Sequence, residues 1–176
     1  MLSRPSEHEY APYFARYIAL VPETEILSVL KHQIADIERA AGAVAAGQEQ
    51  FRYGPDKWSV RQVFGHLTDA ERVFGYRSFC ISRGEQAPLP AFDENAYVEK
   101  SAYDGCALSE LMTELVLTRQ ANLAFLSRLT DDEWMRTGTA SSKPVSVRAI
   151  AYVMAGHVRH HMDILRTRYG IAGVPG

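Results

Sequence analysis

Hydrophobic residues recur at spacings of three and four in four separate stretches of the chain, while prolines, glycines and short polar side chains gather between them. The first stretch aligns Ile26, Leu30, Ile34 and Ile37 on one stripe and predicts a helix from about Glu25 to Ala46. The second begins at Ser59, whose hydroxyl can cap the free N–H groups while Gln62, three residues on, reaches back to complete a capping box. Trp58 and Val63 form the accompanying hydrophobic staple, and the helix is predicted to run to about Ile81. A third helix, from near Ser109 to near Leu129, carries Leu111, Leu115, Thr118, Asn122 and Phe125 along one side, with Leu108, Met112 and Leu126 widening its apolar surface. Thr130 and Glu133 make a further capping box around Trp134. The last helix follows Pro144, is capped by Ser146 with Val145 and Ile150 as staple, and runs to Tyr169 before Gly170 stops it.

These elements predict an all-α fold, a four-helix bundle. Between the second and third helices lie the 25 residues Ser82 to Cys106, which include Gly84, Pro88, Pro90 and Gly105. A connection this long inside a compact domain is usually functional or carries short helices of its own, and it lets the two helices it joins run in the same direction. No internal repeat or second-domain linker is visible.

At 176 residues and 47% hydrophobic, the chain can bury one core without covalent help. A formal charge of −2, with no block of like charge, gives no general attraction to nucleic acid or anionic lipid. No segment approaches the roughly 18 uninterrupted apolar residues of a membrane span, and the first residues lack the apolar centre of a signal peptide. The expectation is a cytoplasmic protein with neither nucleic acid nor membrane as a partner. Cys80 and Cys106 lack the paired spacing of a redox or zinc motif and read as small buried hydrophobes.

Candidate chemistry lies in the histidines. On a helical wheel His161 falls about 40° from His157, and both sit within the stripe of Ile150, Val153 and Ile164. His66 faces inward with Val63, Ala70 and Val73 on the second helix. Histidines at i and i+4 can converge on one ion, and a third from a neighbouring helix completes one face of a divalent metal site with positions left open. The alternative is three ordinary core histidines, each satisfied by its own polar partner. Such a donor set suits zinc or nickel, with iron or manganese also compatible. His160 diverges from His161 by about 100° and reads as a boundary residue. Asp69 and Gln62 lie on the flank of His66, where either could touch an imidazole N–H or a water on the metal, and Asp69 is a candidate base. Glu71 points elsewhere, towards solvent or a partner on another helix. Arg159, Arg166 and Arg168 suit the last helix's dipole and could also dock an anion. Tyr53, Phe92, Tyr97 and Trp134 are candidates to line a pocket at the bundle mouth.

The segments Lys57-Trp-Ser-Val-Arg-Gln-Val-Phe-Gly-His-Leu-Thr-Asp-Ala-Glu71 and Ala155-Gly-His-Val-Arg-His-His-Met-Asp-Ile164 together resemble the DinB-like, YfiT-like metalloprotein superfamily. The resemblance spans about Pro22 to Tyr169. It implies a domain over 22–170, preceded by an added arm at 1–21 and followed by a tail at 171–176. It also implies up-down-down-up connectivity and a metal held by His66, His157 and His161, with His160 outside the ligand set. The superfamily includes S-transferases and isomerases that use low-molecular-weight thiols, alongside metal-dependent hydrolases.

Two reactions fit such a site: presenting a small thiol as thiolate to an electrophile, or activating water for hydrolysis of an amide or ester. No carboxylate other than Asp69 offers itself as a base, and the reading tilts towards thiol transfer to a small-molecule substrate largely because the family resemblance implies it. A non-catalytic metal- or ligand-binding stress protein is the reading from a different class. A homodimer is compatible with the sequence. A di-iron carboxylate bundle is excluded by the lack of any Glu-x-x-His.

Overall fold

The computed structural model describes residues 3–174. In chain order its α-helices are α1 (Ala15–Ile18), α2 (Ile26–Gly42), α3 (Val60–Ser82), α4 (Glu94–Lys100), α5 (Leu108–Leu126), α6 (Asp131–Met135) and α7 (Val147–Thr167). Strands β1 (Thr137–Ala140) and β2 (Lys143–Ser146) form an antiparallel hairpin.

The caps read from the sequence are present. Ser59 accepts the Gln62 amide at 3.0 Å while the Gln62 side chain accepts the Ser59 amide, also at 3.0 Å. Ser146 accepts the Ala149 amide, and Thr130 with Glu133 opens α6. Helix α2 ends at Gly42, four residues earlier than the pattern suggested, because glycine weakens the last turn. Helix α5 starts at Leu108, where the Glu110 carboxylate accepts the Ala107 amide.

Four long helices make the bundle, with α2 and α3 each packed between α5 and α7. The core divides into two clusters at opposite ends. One gathers Ile26 and Leu30 of α2, Ala70 and Ile81 of α3, Leu126 of α5 and Ile150 of α7. The other gathers Ile37 of α2, Phe64 of α3, Leu111 of α5 and Leu165 of α7. Helices α2 and α7 therefore run from the first cluster to the second, whereas α3 and α5 run back. The connectivity is up-down-down-up, and the long connection joins the parallel pair α3 and α5 while carrying α4 as a helix of its own.

The hairpin is a departure from a wholly helical plan. Neither Thr-Gly-Thr-Ala nor Lys-Pro-Val-Ser alternates apolar with polar residues, so no strand period marks it. It turns on Ser141 and Ser142, both at positive φ (52° and 60°), the backbone of a tight two-residue hairpin turn normally given to Asn-Gly. Leu89 of the long connection pairs with Ala140, which ties that connection to the hairpin.

Residues 11–21 lie against the bundle, with Tyr17, Ile18 and Val21 buried in the first cluster and α1 packed on α7. Glu9 accepts hydrogen bonds from Arg148 and Ser146 at 2.7 Å, and Arg159 pairs with Glu23. A Cβ at Gly156 would overlap the backbone carbonyl of Tyr17, so only glycine there admits this close approach.

Candidate metal centre

Antiparallel packing of α3 on α7 sets His66 opposite His157 and His161. The Nε2 atoms of His66 and His157 lie 3.0 Å apart, and those of His161 and His157 lie 3.1 Å apart. All three rings are buried. Burial pushes the His66 imidazole down to about 4. It pushes His157 and His161 well below the ordinary histidine range, with the neighbouring histidines adding to the effect. At neutral pH the cluster therefore presents three uncharged rings, the form that donates a lone pair to a metal.

Three nitrogens bound to one tetrahedral ion at roughly 2.0–2.1 Å stand roughly 3.3 Å from one another, close to the spacing found here. The Nδ1 atoms of His66 and His161 are buried without a hydrogen-bond partner. An ion bound at Nε2 would leave these Nδ1 atoms carrying the ring protons and still without an acceptor, so the case for a metal rests on the convergence of the Nε2 atoms. The three-histidine cluster could hold a metal ion.

The cluster opens on a cavity of about 580 Å³ whose lining includes Tyr17, Trp58, Phe74 and Phe92. The Trp58 ring lies 4.6 Å from His66, and Phe92 stacks nearly parallel to His66 at 6.2 Å. Tyr17 meets His157 edge-on at 5.4 Å. The arm, both histidine helices and the long connection thus each supply a wall.

A model of the DinB superfamily matches residues 30–165, most of the chain. The chain belongs to the DinB superfamily. Its structure is similar to that of YfiT from Bacillus subtilis, described as a probable metal-dependent hydrolase with an unusual four-helix bundle topology. The TM-score is 0.71 at 21% identity, over 97% of this chain and 95% of that one. It is also similar to a mycothiol-dependent maleylpyruvate isomerase, with a TM-score of 0.64 at 14% identity, over 90% of this chain and 66% of that one. No curated protein matches it by sequence.

Within this DinB-superfamily bundle, the helices carrying the histidines are braced by a buried polar network. Arg119 of α5, with no exposed surface, donates to both carboxylate oxygens of Glu71 at 2.7 and 2.8 Å and to Gln33 Oε1 at 3.0 Å. Gln33 Nε2 donates to the Ala155 carbonyl at 2.8 Å, two residues before His157. Asn122 donates to the Glu71 backbone and side chain. Glu71 is thus paired across helices, one of the two alternatives its position on the wheel left open.

The other sequence candidates separate. His160 is half-buried, lines the cavity and meets Tyr17 edge-on at 5.5 Å, outside the group of three. Asp69 is not brought to the histidines. It faces the Tyr103 hydroxyl and Arg72, outside the cavity lining, and burial pushes its carboxyl up although both neighbours pull it down. Gln62 is taken up by the helix cap and by Arg52. Arg159 and Arg166 are paired with Glu23 and Asp163. Phe92 does line the cavity and packs on Tyr97, whereas Trp134 is buried in the core. Cys80 and Cys106 are half-buried free thiols. Among the described residues no helix is long and apolar enough to cross a membrane. Sequence reasoning missed Arg16, Tyr17 and Arg77 as cavity residues and the Arg119 network as its brace. A helical wheel extended eleven residues beyond His66 would have flagged Arg77.

Proposed function

We propose that this protein is a metal-dependent enzyme that transfers a low-molecular-weight thiol to a small electrophile, with His66, His157 and His161 holding one divalent ion through Nε2. The observation that carries this reading is the convergence of three buried, uncharged imidazoles on one wall of a cavity large enough for an organic molecule. An ion held there supplies Lewis acidity, which lowers the pKa of a small protic ligand such as a thiol. The chain's own residues do the rest. The Glu71–Arg119–Gln33 network positions α3 and α7 so that the histidine nitrogens stay in register, while Trp58, Phe74 and Phe92 give the electrophile an apolar seat and keep water out.

The tilt towards a thiol rests on the carboxylates. Asp69 stands outside the cavity, and a nucleophile that ionises readily needs no strong protein base. The competing reading is metal-assisted hydrolysis. It is favoured by Glu94, an acidic residue that does line the cavity.

The test is elemental analysis of protein purified without an affinity tag, then a conjugation assay with a chromogenic electrophile and a panel of small thiols. Near-stoichiometric metal and thiol-dependent conjugation, both lost in His157→Ala, are expected. Metal in the triple His66/His157/His161→Ala variant overturns the ligand assignment. Ester or amide turnover that needs no thiol and fails in Glu94→Gln replaces transfer by hydrolysis. Metal binding without turnover leaves a binding protein.

A further inference from the structure

Arg77 lies on α3 eleven residues after His66. That places it about 16 Å along the helix axis and within about 20° of the same face. Side chains on a helix lean towards its N-terminus, so Arg77 leans back towards the histidines over the intervening Ala70 and Phe74. All four residues line the same cavity. Arg77 is 5% exposed. Its Nη2 donates to the Pro90 carbonyl at 2.8 Å and to Ser141 Oγ at 3.0 Å. Among the described residues no carboxylate approaches it within ion-pair distance, and its other guanidinium N–H groups have no protein partner. Arg119 and Arg148, the other buried arginines, each have a carboxylate partner, Glu71 and Glu9. An unpaired buried cation is costly, and a protein retains one where a ligand brings the counter-charge.

The rest of the cavity agrees in sign. Arg16 and Lys143 also line it, and Glu94 is the one carboxylate among the lining residues. Arg16 stacks over the Tyr13 and Tyr17 rings at 4.1 and 4.6 Å and likewise has no carboxylate partner among the described residues.

We propose that this cavity binds an extended organic anion, with its carboxylate on Arg77 and Ser141, its apolar body across Ala70 and Phe74, and its opposite end at the three histidines. The last clause rests on the proposed metal centre; the anion seat does not. Both Nη2 hydrogens of Arg77 are already donated, so the carboxylate would meet its Nε–H or Nη1–H groups, and the Ser141 hydroxyl, which accepts from Nη2 and is held at a positive φ in the hairpin turn, keeps its own proton to donate beside them.

The probes are a series of ω-phenylalkanoates and their neutral primary amides, titrated by calorimetry into wild-type, Arg77→Gln and Arg77→Lys protein, each with and without chelator treatment. The chelator arm separates an anion on Arg77 from an anion on a metal. The expected result is that at least one carboxylate binds roughly tenfold or more tighter than its amide in chelator-treated protein. Arg77→Gln should abolish that preference and Arg77→Lys restore part of it. Equal binding of acid and amide overturns the proposal. So does a preference that survives Arg77→Gln, one seen only in metal-loaded protein, or no saturable binding by any acid. Should Arg77→Gln fail to fold, the acid–amide comparison in wild type and Arg77→Lys still decides. A protein that takes up no metal yet prefers the acid through Arg77 keeps the anion seat and loses the enzyme.

Discussion

Two buried polar clusters lie within a few turns of each other in this bundle, and they are built on opposite rules. Around Arg119 the bonds close on themselves: Glu71 takes both arms of the guanidinium, while Gln33 and Asn122 occupy what remains. Around His157 they stay open: the three Nε2 atoms meet only one another, two Nδ1 atoms have no partner, and eleven residues along α3 from His66 stands an arginine without a counter-ion. Both clusters cost desolvation. Only the first recovers it from the protein's own groups. Closure marks structure, and openness marks the place where something else is to bind.

The sharpest way to break this contrast is to open the closed cluster. Glu71→Ala leaves Arg119 buried and unpaired, and a loss of about 3–5 kcal/mol in urea unfolding is expected. A loss below about 1 kcal/mol would mean that Arg119 finds water and that the two clusters do not differ in kind. Metal uptake should fall with it, because Gln33 couples this network to the turn before His157.

Acid probes the open cluster. The unfolded chain takes up protons on its histidines from about 6.5 downward, whereas the folded His66 resists until about 4. Stability of metal-free protein is therefore intact above 6.5 and falls as pH drops towards 4, by up to about 3 kcal/mol for His66 alone. The unfolding midpoint of the wild type should therefore fall relative to that of His66→Leu as the pH drops from 6.5 towards 4; parallel curves would show that the ring is not buried in its neutral form.

Gly156→Ala tests the wall between cluster and solvent. The new methyl group meets the Tyr17 backbone, so the arm must shift, at a cost of about 1–3 kcal/mol. Proteolysis near Tyr17 should quicken, while far-UV helicity holds.

The smallest expected effect has the opposite sign. In metal-free protein His161→Leu removes an unmet Nδ1 and should be neutral or stabilising by up to about 1 kcal/mol. A thermal shift on adding zinc or nickel is expected for the wild type and should vanish in it. A clearly destabilised metal-free His161→Leu would show that the ring already has a partner in the protein.

The helices and the three histidines were legible because periodicity and caps are local signals: Ser59–Gln62 and Ser146 name their starts, and the wheel orients the rings. The rest depends on neighbours distant in sequence. Arg119 interrupts an apolar face and looks like a solvated position until Glu71 is placed against it. Arg77 sits outside any motif, and its meaning comes from the absence of a carboxylate. The hairpin at 137–146 carries no strand alternation, and its Ser141-Ser142 turn uses backbone angles that serine rarely adopts. Among the described residues before Pro22 the helical segments are of three or four residues, too brief for a helical period, and nothing local shows that Tyr17 meets His157.

Gly156 has a consequence in time. Tyr17 is synthesised 139 residues before the glycine that receives it, and His66 likewise waits 91 residues for His157. Local helices form early, and contacts this remote in sequence come late. The cavity is thus sealed, and its three histidines first assembled, only when α7 has been made.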